Sequence, residues 1–152
     1  MIMKILKKEF GNIFKTYHER DTQIWVPKGV SELDDLVIKL AIRLADLDFI
    51  KYVRICDQYL AASSENYPKR QKVPITDAGH LSACGIEIIY HLDHRIVDFY
   101  SINSTVKGRG SQMVKAIMGE LPRDWQPSVT MDWSEGFWDK MVEKYPEYNW
   151  MM

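Results

Sequence analysis

The feature that most constrains the fold is a two-residue hydrophobic period in the second half of the chain. Residues 85–92 (GIEIIYHL) and 95–103 (RIVDFYSIN) are rich in β-branched and aromatic side chains, and Asp93 and His94 lie between them. Alternation with a period of two is typical of half-buried strands, and a short polar link between two such runs predicts a hairpin. We therefore expect residues 85–103 to form a β-hairpin.

A glycine-rich turn and an amphipathic segment follow the hairpin. Gly108 and Gly110 flank Arg109, and apolar residues then recur at helical spacing until Pro122. The apolar positions are Val114, Ile117, Met118 and Leu121. This pattern predicts a helix that begins within the glycine-rich segment.

The remainder of the second half predicts three more elements. Residues 128–133 (SVTMDW) indicate a short strand, and residues 147–152 (EYNWMM) indicate a last one. Between them, Ser134 is the expected N-cap of a helix. The apolar side of that helix would carry Phe137, Trp138, Met141, Val142 and Tyr145.

The first half is dominated by helix-like spacing. Ser31, with Asp34 three residues later, predicts the start of a helix over 31–47, whose leucines recur at helical spacing. A second helix is expected over 48–61, with Phe49, Val53, Cys56 and Leu60 on one face. Residues 63–79, which contain two prolines, predict a loop.

The first thirty residues are less defined. A short strand over 2–10, a helical segment over 9–20 and a turn over 26–30 are the expectations there. Together the elements predict an α+β protein with a mixed, mostly antiparallel central sheet flanked by helices. We expect one domain over 1–152, with a helical pair at 31–61 and a sheet-containing half at 80–152.

Composition excludes several classes of function. The chain has 152 residues, the usual length of a single domain, and a formal net charge of −1, so no basic excess attracts nucleic acid. No apolar run approaches the roughly 18 residues that a membrane span needs, and the first residues lack the pattern of a signal peptide. The two cysteines and four histidines have no metal-ligand spacing. We expect a cytoplasmic protein with no metal and neither a membrane nor a nucleic-acid partner.

The strand, glycine-rich turn and helix in this order predict an anion site. Free N–H groups at a helix start point outward, the helix dipole favours negative charge there, and glycine lets a ligand approach the backbone. Lys107 and Arg109 add charge that pairs with phosphate. The spacing GRGSQM fits neither the P-loop nor the dinucleotide-binding fingerprint, so phosphate binding is expected without either of those nucleotide motifs.

Residues 96–148 resemble the core of the GNAT superfamily of acetyl-CoA-dependent N-acetyltransferases. The family's CoA loop follows the pattern [QR]xxGx[GA] between a strand and a helix, and YSINSTVKGRGSQMVKAI matches that strand, loop and helix in order and length. Lys107, Gly110 and Gln112 align with the first, fourth and sixth motif positions. The chain departs from the pattern at Lys107 and Gln112, and Trp138 stands where the family's next helix often presents a tyrosine. The resemblance implies an acyl-CoA N-acyltransferase-like fold and acetyl-CoA as co-substrate, without a metal.

The resemblance also implies which residues hold CoA. Backbone N–H groups of the loop would bind the pyrophosphate, and the strand end at Ser101 and Ile102 would run beside the pantetheine. The loop residues are Val106, Lys107, Gly108, Arg109, Gly110, Ser111 and Gln112.

Transfer to an amine also needs a base and an acid. An alkylammonium has a pKa of about 10.4, so the attacking amine must lose a proton, and the thiolate of CoA must gain one. Asp98, Glu87 and Asp132 are the candidate bases. Tyr100, Tyr145 and Tyr148 are the candidate acids, because Trp138 cannot take that role; the alternative is that the thiolate leaves without an acid. By alternation, Asp98 and Tyr100 are expected to share one face of their strand.

Two functions remain open from the sequence. The first is an N-acyltransferase whose acceptor is an amine on a small molecule or a protein, and a homodimer is compatible with it. The alternative is a non-catalytic module that keeps the fold, binds CoA or another protein, and does no chemistry. The near-neutral charge disfavours an RNA-borne acceptor.

Overall fold

The computed structural model describes residues 13–14, 22–27, 30, 33–130, 132 and 134–152. The strands there are β1 (Ile13–Phe14), β2 (Gln23–Trp25), β3 (Tyr52–Ile55), β4 (Tyr59–Ser63), β5 (Asn66–Tyr67), β6 (Arg70–Pro74), β7 (Gly85–His91), β8 (Ile96–Asn103) and β9 (Gln126–Ser128). The helices are α1 (Asp35–Ala45), α2 (Arg109–Met118) and α3 (Phe137–Lys144).

The protein is α+β, with a mixed sheet flanked by the helices. The large sheet has seven strands in the order β1-β2-β3-β4-β7-β8-β9, and β5 pairs with β6 in a separate two-stranded sheet. The pairs β2–β3 and β8–β9 are parallel. Every other neighbouring pair in the large sheet is antiparallel, which confirms the expected mixed, mostly antiparallel architecture.

One face of the sheet forms the main core. Alternate residues of β2, β3, β4 and β7 point to it and are fully buried, among them Ile24, Val53, Ile55, Leu60, Ala62, Ile86 and Ile88. Helix α1 packs on β3 and β4, helix α2 packs on β7, and the two helices contact each other. The amphipathic spacing seen in the sequence is thus used to bury one side of each helix against this face.

Helix α1 begins later than the sequence predicted. Its N-cap is Asp34, whose Oδ1 accepts a hydrogen bond from the Leu36 N–H at 2.8 Å, and the helix ends at Ala45. Ser31, the expected cap, lies outside the described residues. An aspartate at the cap satisfies one of the free N–H groups of the first turn, so Asp34 has the role that the pattern assigned to Ser31.

The second helix predicted over 48–61 is wrong. That segment forms the antiparallel strands β3 and β4, which pair from Tyr52↔Ser63 to Ile55↔Leu60. Phe49, Val53 and Leu60 are buried as expected, but on a strand period. The helical pair proposed for 31–61 is therefore one helix followed by a hairpin.

The loop predicted over 63–79 is also partly wrong, because strands β5 and β6 form a hairpin within it. Strand β6 packs across β3 and β4. Further back, Ile13–Phe14 form strand β1, so the helical prediction for 9–20 is wrong at these two positions. The strand predicted over 2–10 lies outside the described residues. The Val30 N–H donates to the Pro27 carbonyl at 3.1 Å, which closes the expected turn.

The hairpin predicted over 85–103 is confirmed. Strands β7 and β8 pair antiparallel from Gly85↔Asn103 to His91↔Ile96. Helix α2 follows as expected, and its apolar side is buried. The next strand is β9, which ends at Ser128 and so lies earlier than the predicted 128–133.

The C-terminal predictions are corrected in two places. Helix α3 has Gly136 as its N-cap, not Ser134. The strand predicted over 147–152 is reduced to a single parallel bridge between Ser128 and Met151.

Candidate functional site

The site begins where the two parallel strands β8 and β9 separate. Their pairing covers Ile96↔Gln126 to Asp98↔Ser128, whereas β8 continues to Asn103. A cavity of about 530 Å³ opens beside this continuing part of β8 (residues 99–103), which we call the β8 edge. The residues that line the cavity are Asp77, Ala78, Gly79, Phe99, Tyr100, Ser101, Ile102, Asn103, Ser104, Gly110, Ser134, Phe137 and Trp138.

A β-bulge lies at the start of the β8 edge. Ile88 pairs with Phe99 and Glu87 pairs with Ser101, so Tyr100 is an extra residue with no partner of its own on β7. A bulge bends its strand and increases the local twist, which explains why β8 leaves β9 here. Tyr100 lines the cavity and keeps 48% of its surface exposed.

The bulge also corrects a prediction about the strand faces. Asp98 pairs with Ile89 and Ser101 pairs with Glu87, and residues 87 and 89 share a face. Asp98 therefore shares its face with Ser101, three residues later, and regular alternation does not extend to Tyr100. The sequence has no signal for this inserted residue.

Residues 104–108, which we call the glycine turn, connect the β8 edge to helix α2. The Ser104 hydroxyl donates to the Val106 carbonyl at 2.6 Å, and the Arg109 N–H donates to the same carbonyl at 3.2 Å. Gly108 is the N-cap and has φ of 90°, a left-handed conformation that glycine adopts without strain. The positive φ that the predicted anion loop requires is therefore at Gly108.

Gly110 is needed for a different reason. It is buried in the first turn of α2, and a Cβ built on it would lie 3.3 Å from Cε1 of Phe137. The close approach of α3 to α2 at this point places Phe137 and Gly110 together in the cavity wall. A helix start beside a strand edge supplies outward N–H groups, so the geometry suits a phosphate or another anion.

The predicted CoA-contacting residues divide into three groups. Ser101, Ile102 and Gly110 line the cavity. Val106, Lys107 and Gly108 are exposed in the glycine turn, and Ser111 follows in the first turn of α2. None of these four is among the residues that line the cavity, and neither are Arg109 and Gln112, which contact other parts of the molecule.

Gln112 lines a second groove instead, between α1 and α2. Its side chain there lies near Asp46 and Leu47. The departure from glycine or alanine at this position therefore places no side chain in the cavity.

The predicted catalytic residues are also only partly brought together. Asp98 is 8% exposed, accepts a hydrogen bond from the Thr130 hydroxyl at 2.9 Å, and lies where β9 still pairs with β8. Asp132 is exposed and accepts a 2.8 Å hydrogen bond from the N–H of Ser134, which lines the cavity. Of the six residues named as candidate bases and acids, only Tyr100 is among the residues that line the cavity.

The other two candidate tyrosines lie outside the cavity lining. The hydroxyl of Tyr145 is buried and has no hydrogen-bond partner among the described residues. Burial raises the pKa of Tyr145, and the Glu147 carboxylate adds to the rise. The Tyr148 hydroxyl donates to the Leu121 carbonyl at 2.5 Å.

Trp138 is 2% exposed and lies in an aromatic cluster under the cavity. Its ring centroid is 4.9 Å from that of Phe99 and 5.1 Å from that of Phe137. A tryptophan here closes the floor of the cavity and provides no hydroxyl for proton transfer.

Sequence reasoning missed one wall of the cavity, residues 77–79. Asn103 holds this wall in place, because its Oδ1 accepts from the Gly79 N–H at 3.0 Å and its Nδ2 donates to the carbonyls of His80 and Ala83. Asp77 on the same wall contacts the Tyr67 hydroxyl. The only sequence signal for this wall was its glycine and aspartate content, which fits any loop.

Glu87 is half-buried and does not line the cavity, but it contacts Thr76, the residue before this wall. The Thr76 hydroxyl donates to its Oε1 at 3.3 Å, and the Ser101 hydroxyl donates to the Thr76 carbonyl. Burial raises the pKa of the Glu87 carboxyl, the hydrogen bond from Thr76 opposes the rise, and the nearby Asp77 carboxylate adds to it. A carboxylate with a raised pKa beside a cavity has the character of a proton acceptor.

Membrane-spanning helices and metal-binding clusters are both absent from the described part of the chain. No helix there is long and apolar enough to cross a membrane. Histidine, cysteine, aspartate and glutamate side chains form no group of three or more there that could hold a metal ion.

Comparison with protein-family models, with curated protein sequences and with solved structures finds no match to this chain. The geometry of the site and the local motif therefore carry the functional argument.

Proposed function

We propose that this chain is an acyltransferase that moves an acetyl group from acetyl-CoA to an amine acceptor. The observation that carries the proposal is the separation of β8 from β9 at the Tyr100 bulge. This separation leaves a cavity that is lined by the β8 edge on one side and by Gly110, at the start of α2, on another. The resemblance of the glycine turn and α2 to the GNAT acetyl-CoA loop supports the same function.

The glycine turn with the start of α2, the β8 edge and the bulge each match one part of acetyl-CoA. The pyrophosphate fits the glycine turn and the first N–H groups of α2, where the helix dipole favours an anion. The pantetheine amides fit the β8 edge, whose backbone has no β9 partner beyond Asp98. The thioester then lies near the bulge, where a backbone N–H can stabilise the oxyanion that forms during attack.

Glu87 is the base that we propose for the acceptor amine. The amine nitrogen forms the new C–N bond to the acetyl carbonyl carbon, and the C–S bond breaks. Glu87 does not line the cavity, so the amine proton reaches its carboxylate through a water molecule on the Ser101 side. Asp98 is less suitable, because it is held by Thr130 in the closed part of the β8–β9 pair. Tyr100, which lines the cavity, is the acid that returns a proton to the departing thiolate.

A second function is favoured by one observation. Trp138 fills the position at which the resembling family often has a tyrosine, and it is buried against Phe99. A protein that binds CoA, or another protein, without catalysing transfer would tolerate this residue.

The cytoplasm remains the proposed compartment. Cys56 and Cys84 are both free thiols, as expected of a reducing environment. The acceptor amine is proposed to belong to a small molecule or a protein.

The test is an assay for free CoA thiol. The protein is incubated with acetyl-CoA, with and without a panel of primary amines and a lysine-containing peptide. We expect at least one amine to increase CoA release, and Glu87→Gln to suppress that release at neutral pH. Binding of acetyl-CoA with no release for any amine would favour the non-catalytic module, and absence of both binding and release would refute both functions.

A further inference from the structure

Arg109 is turned away from the cavity. Its guanidinium Cζ lies 4.7 Å from the centroid of the Phe49 ring, and its Nη1 lies 3.7 Å from Sγ of Cys84. The first contact is a cation–π interaction with a residue between α1 and β3. The second joins the start of α2 to the residue that precedes β7.

Cys84 lies under the glycine turn and is fully buried. Its Sγ is 3.5 Å from Oγ1 of Thr105, and its own N–H donates to the Ser64 hydroxyl at 2.9 Å. The sulfur atom therefore contacts both ends of the segment 105–109, which leads into the first turn of α2, part of the proposed anion site.

We propose that Arg109 and Cys84 form a positioning pair that fixes the glycine turn from beneath, and that Arg109 does not contact the phosphates of CoA. The guanidinium is already engaged by a sulfur atom and an aromatic ring on the inner side of the turn. Lys107, which is exposed in the turn, is then the cation that meets the ligand.

The same contacts also affect the ionisation of the Cys84 thiol. Burial alone would raise the pKa of the thiol, but hydrogen bonds from Thr105, Arg109 and the Val106 backbone outweigh burial and lower the pKa to about 7. Arg109 from α2 is the charged group that faces the sulfur. The titratable His80 lies in the loop that precedes Cys84, and the His80 Nδ1 accepts hydrogen bonds from the Ser82 and Ala83 N–H groups. Where the thiol of Cys84 is deprotonated, its negative charge faces the Arg109 guanidinium.

The first test needs no CoA. In a Cys56→Ser background, the ultraviolet absorbance of the Cys84 thiolate is followed against pH. We expect a midpoint near pH 7 that moves toward the ordinary thiol value of about 8.5 in Arg109→Gln. Lys107→Gln is the matched control and should leave the midpoint unchanged. A titration midpoint near the ordinary thiol value in the parent protein would overturn the proposed Arg109–Cys84 pair. So would a midpoint that does not change in Arg109→Gln.

The second test uses CoA as the ligand and rests on the proposed function. Arg109→Gln and Cys84→Ser should each weaken binding about tenfold, and the double variant should be no weaker than either, because the two residues act together. Salt dependence of binding should fall in Lys107→Gln and stay unchanged in Arg109→Gln. A lower salt dependence in Arg109→Gln would mean that Arg109 contacts phosphate. Failure of the parent protein to bind CoA would contradict the proposed function, while the thiol titration would still decide the pair.

Discussion

At the scale of single residues, Gly110 is the glycine of the cavity wall that has little space around it. A Cβ there would lie 3.3 Å from Cε1 and 3.5 Å from Cζ of Phe137, which is too close for a branched side chain. Gly110→Val should therefore displace Phe137 into the cavity and weaken CoA binding by more than tenfold. Lys107→Ala is the control, since an exposed cation is screened and contributes about 0.5–1 kcal/mol. Calorimetric titration measures both, and normal CoA binding by Gly110→Val would show that the cavity wall is not the binding wall.

Glu87 provides a pH-dependent prediction. The pKa of Glu87 is raised in the folded state, so the charged carboxylate lowers the free energy of unfolding. This loss of stability is absent below the ordinary glutamate pKa and grows as the pH rises from that value through the raised pKa of the folded state. Glu87→Gln should accordingly be more stable than the parent protein at pH 7, and the difference should shrink toward acid pH. Urea unfolding at several pH values measures this. A variant that is less stable at neutral pH and unchanged in acid would contradict the raised pKa.

Residue types were predicted better than residue contacts. The sequence predicted a glycine-containing turn between a strand and a helix, because local backbone demands are visible in local sequence, but the positive φ lies at Gly108 and Gly110 is already within the helix. Arg109 was expected to face phosphate, but its contacts with Phe49 and Cys84 join positions far apart in the chain. Asn103, which holds the wall at residues 77–79, was missed for the same reason.

At the scale of elements, the hairpin β7–β8 and helix α2 followed from the sequence, whereas strands β3 and β4 did not. Phe49, Val53, Cys56 and Leu60 are spaced by three or four residues and imitate a helix. Their segment also alternates, and Val53 and Leu60 are buried from opposite strands of a hairpin. Short apolar segments fit both the helical and the strand period. Pairing of β4 with β7 selects the strand in the folded protein.

The bulge makes an element-scale prediction. Deleting Tyr100 would let Phe99 and Ser101 keep their partners Ile88 and Glu87 in a regular ladder, so the fold should persist while the bend is lost. We expect this deletion to weaken CoA binding at least about tenfold. Tyr100→Ala, which keeps the bulge, should retain binding and lose mainly the rate of transfer. Circular dichroism and calorimetry check the two variants, and full binding by the deletion variant would exclude the bulge as the cause of the cavity.

At the scale of the whole molecule, the α+β class followed from the order of the elements, and the mixed sheet agrees with it. The separation of β8 from β9 could not be predicted, because it depends on one inserted residue and on how far β9 extends. We propose that acetyl-CoA binds at this separation.

The most direct measurement of that claim is the thermal unfolding midpoint of the full chain with increasing acetyl-CoA, beside the Gly110→Val variant. A ligand at about 100 times its Kd stabilises a folded protein by about 2.7 kcal/mol. We therefore expect acetyl-CoA to raise the thermal unfolding midpoint of the parent protein in a saturable way, and we expect Gly110→Val to abolish this rise. An unchanged midpoint for the folded parent protein at acetyl-CoA concentrations on the order of millimolar, or an equal rise in both proteins, would contradict it.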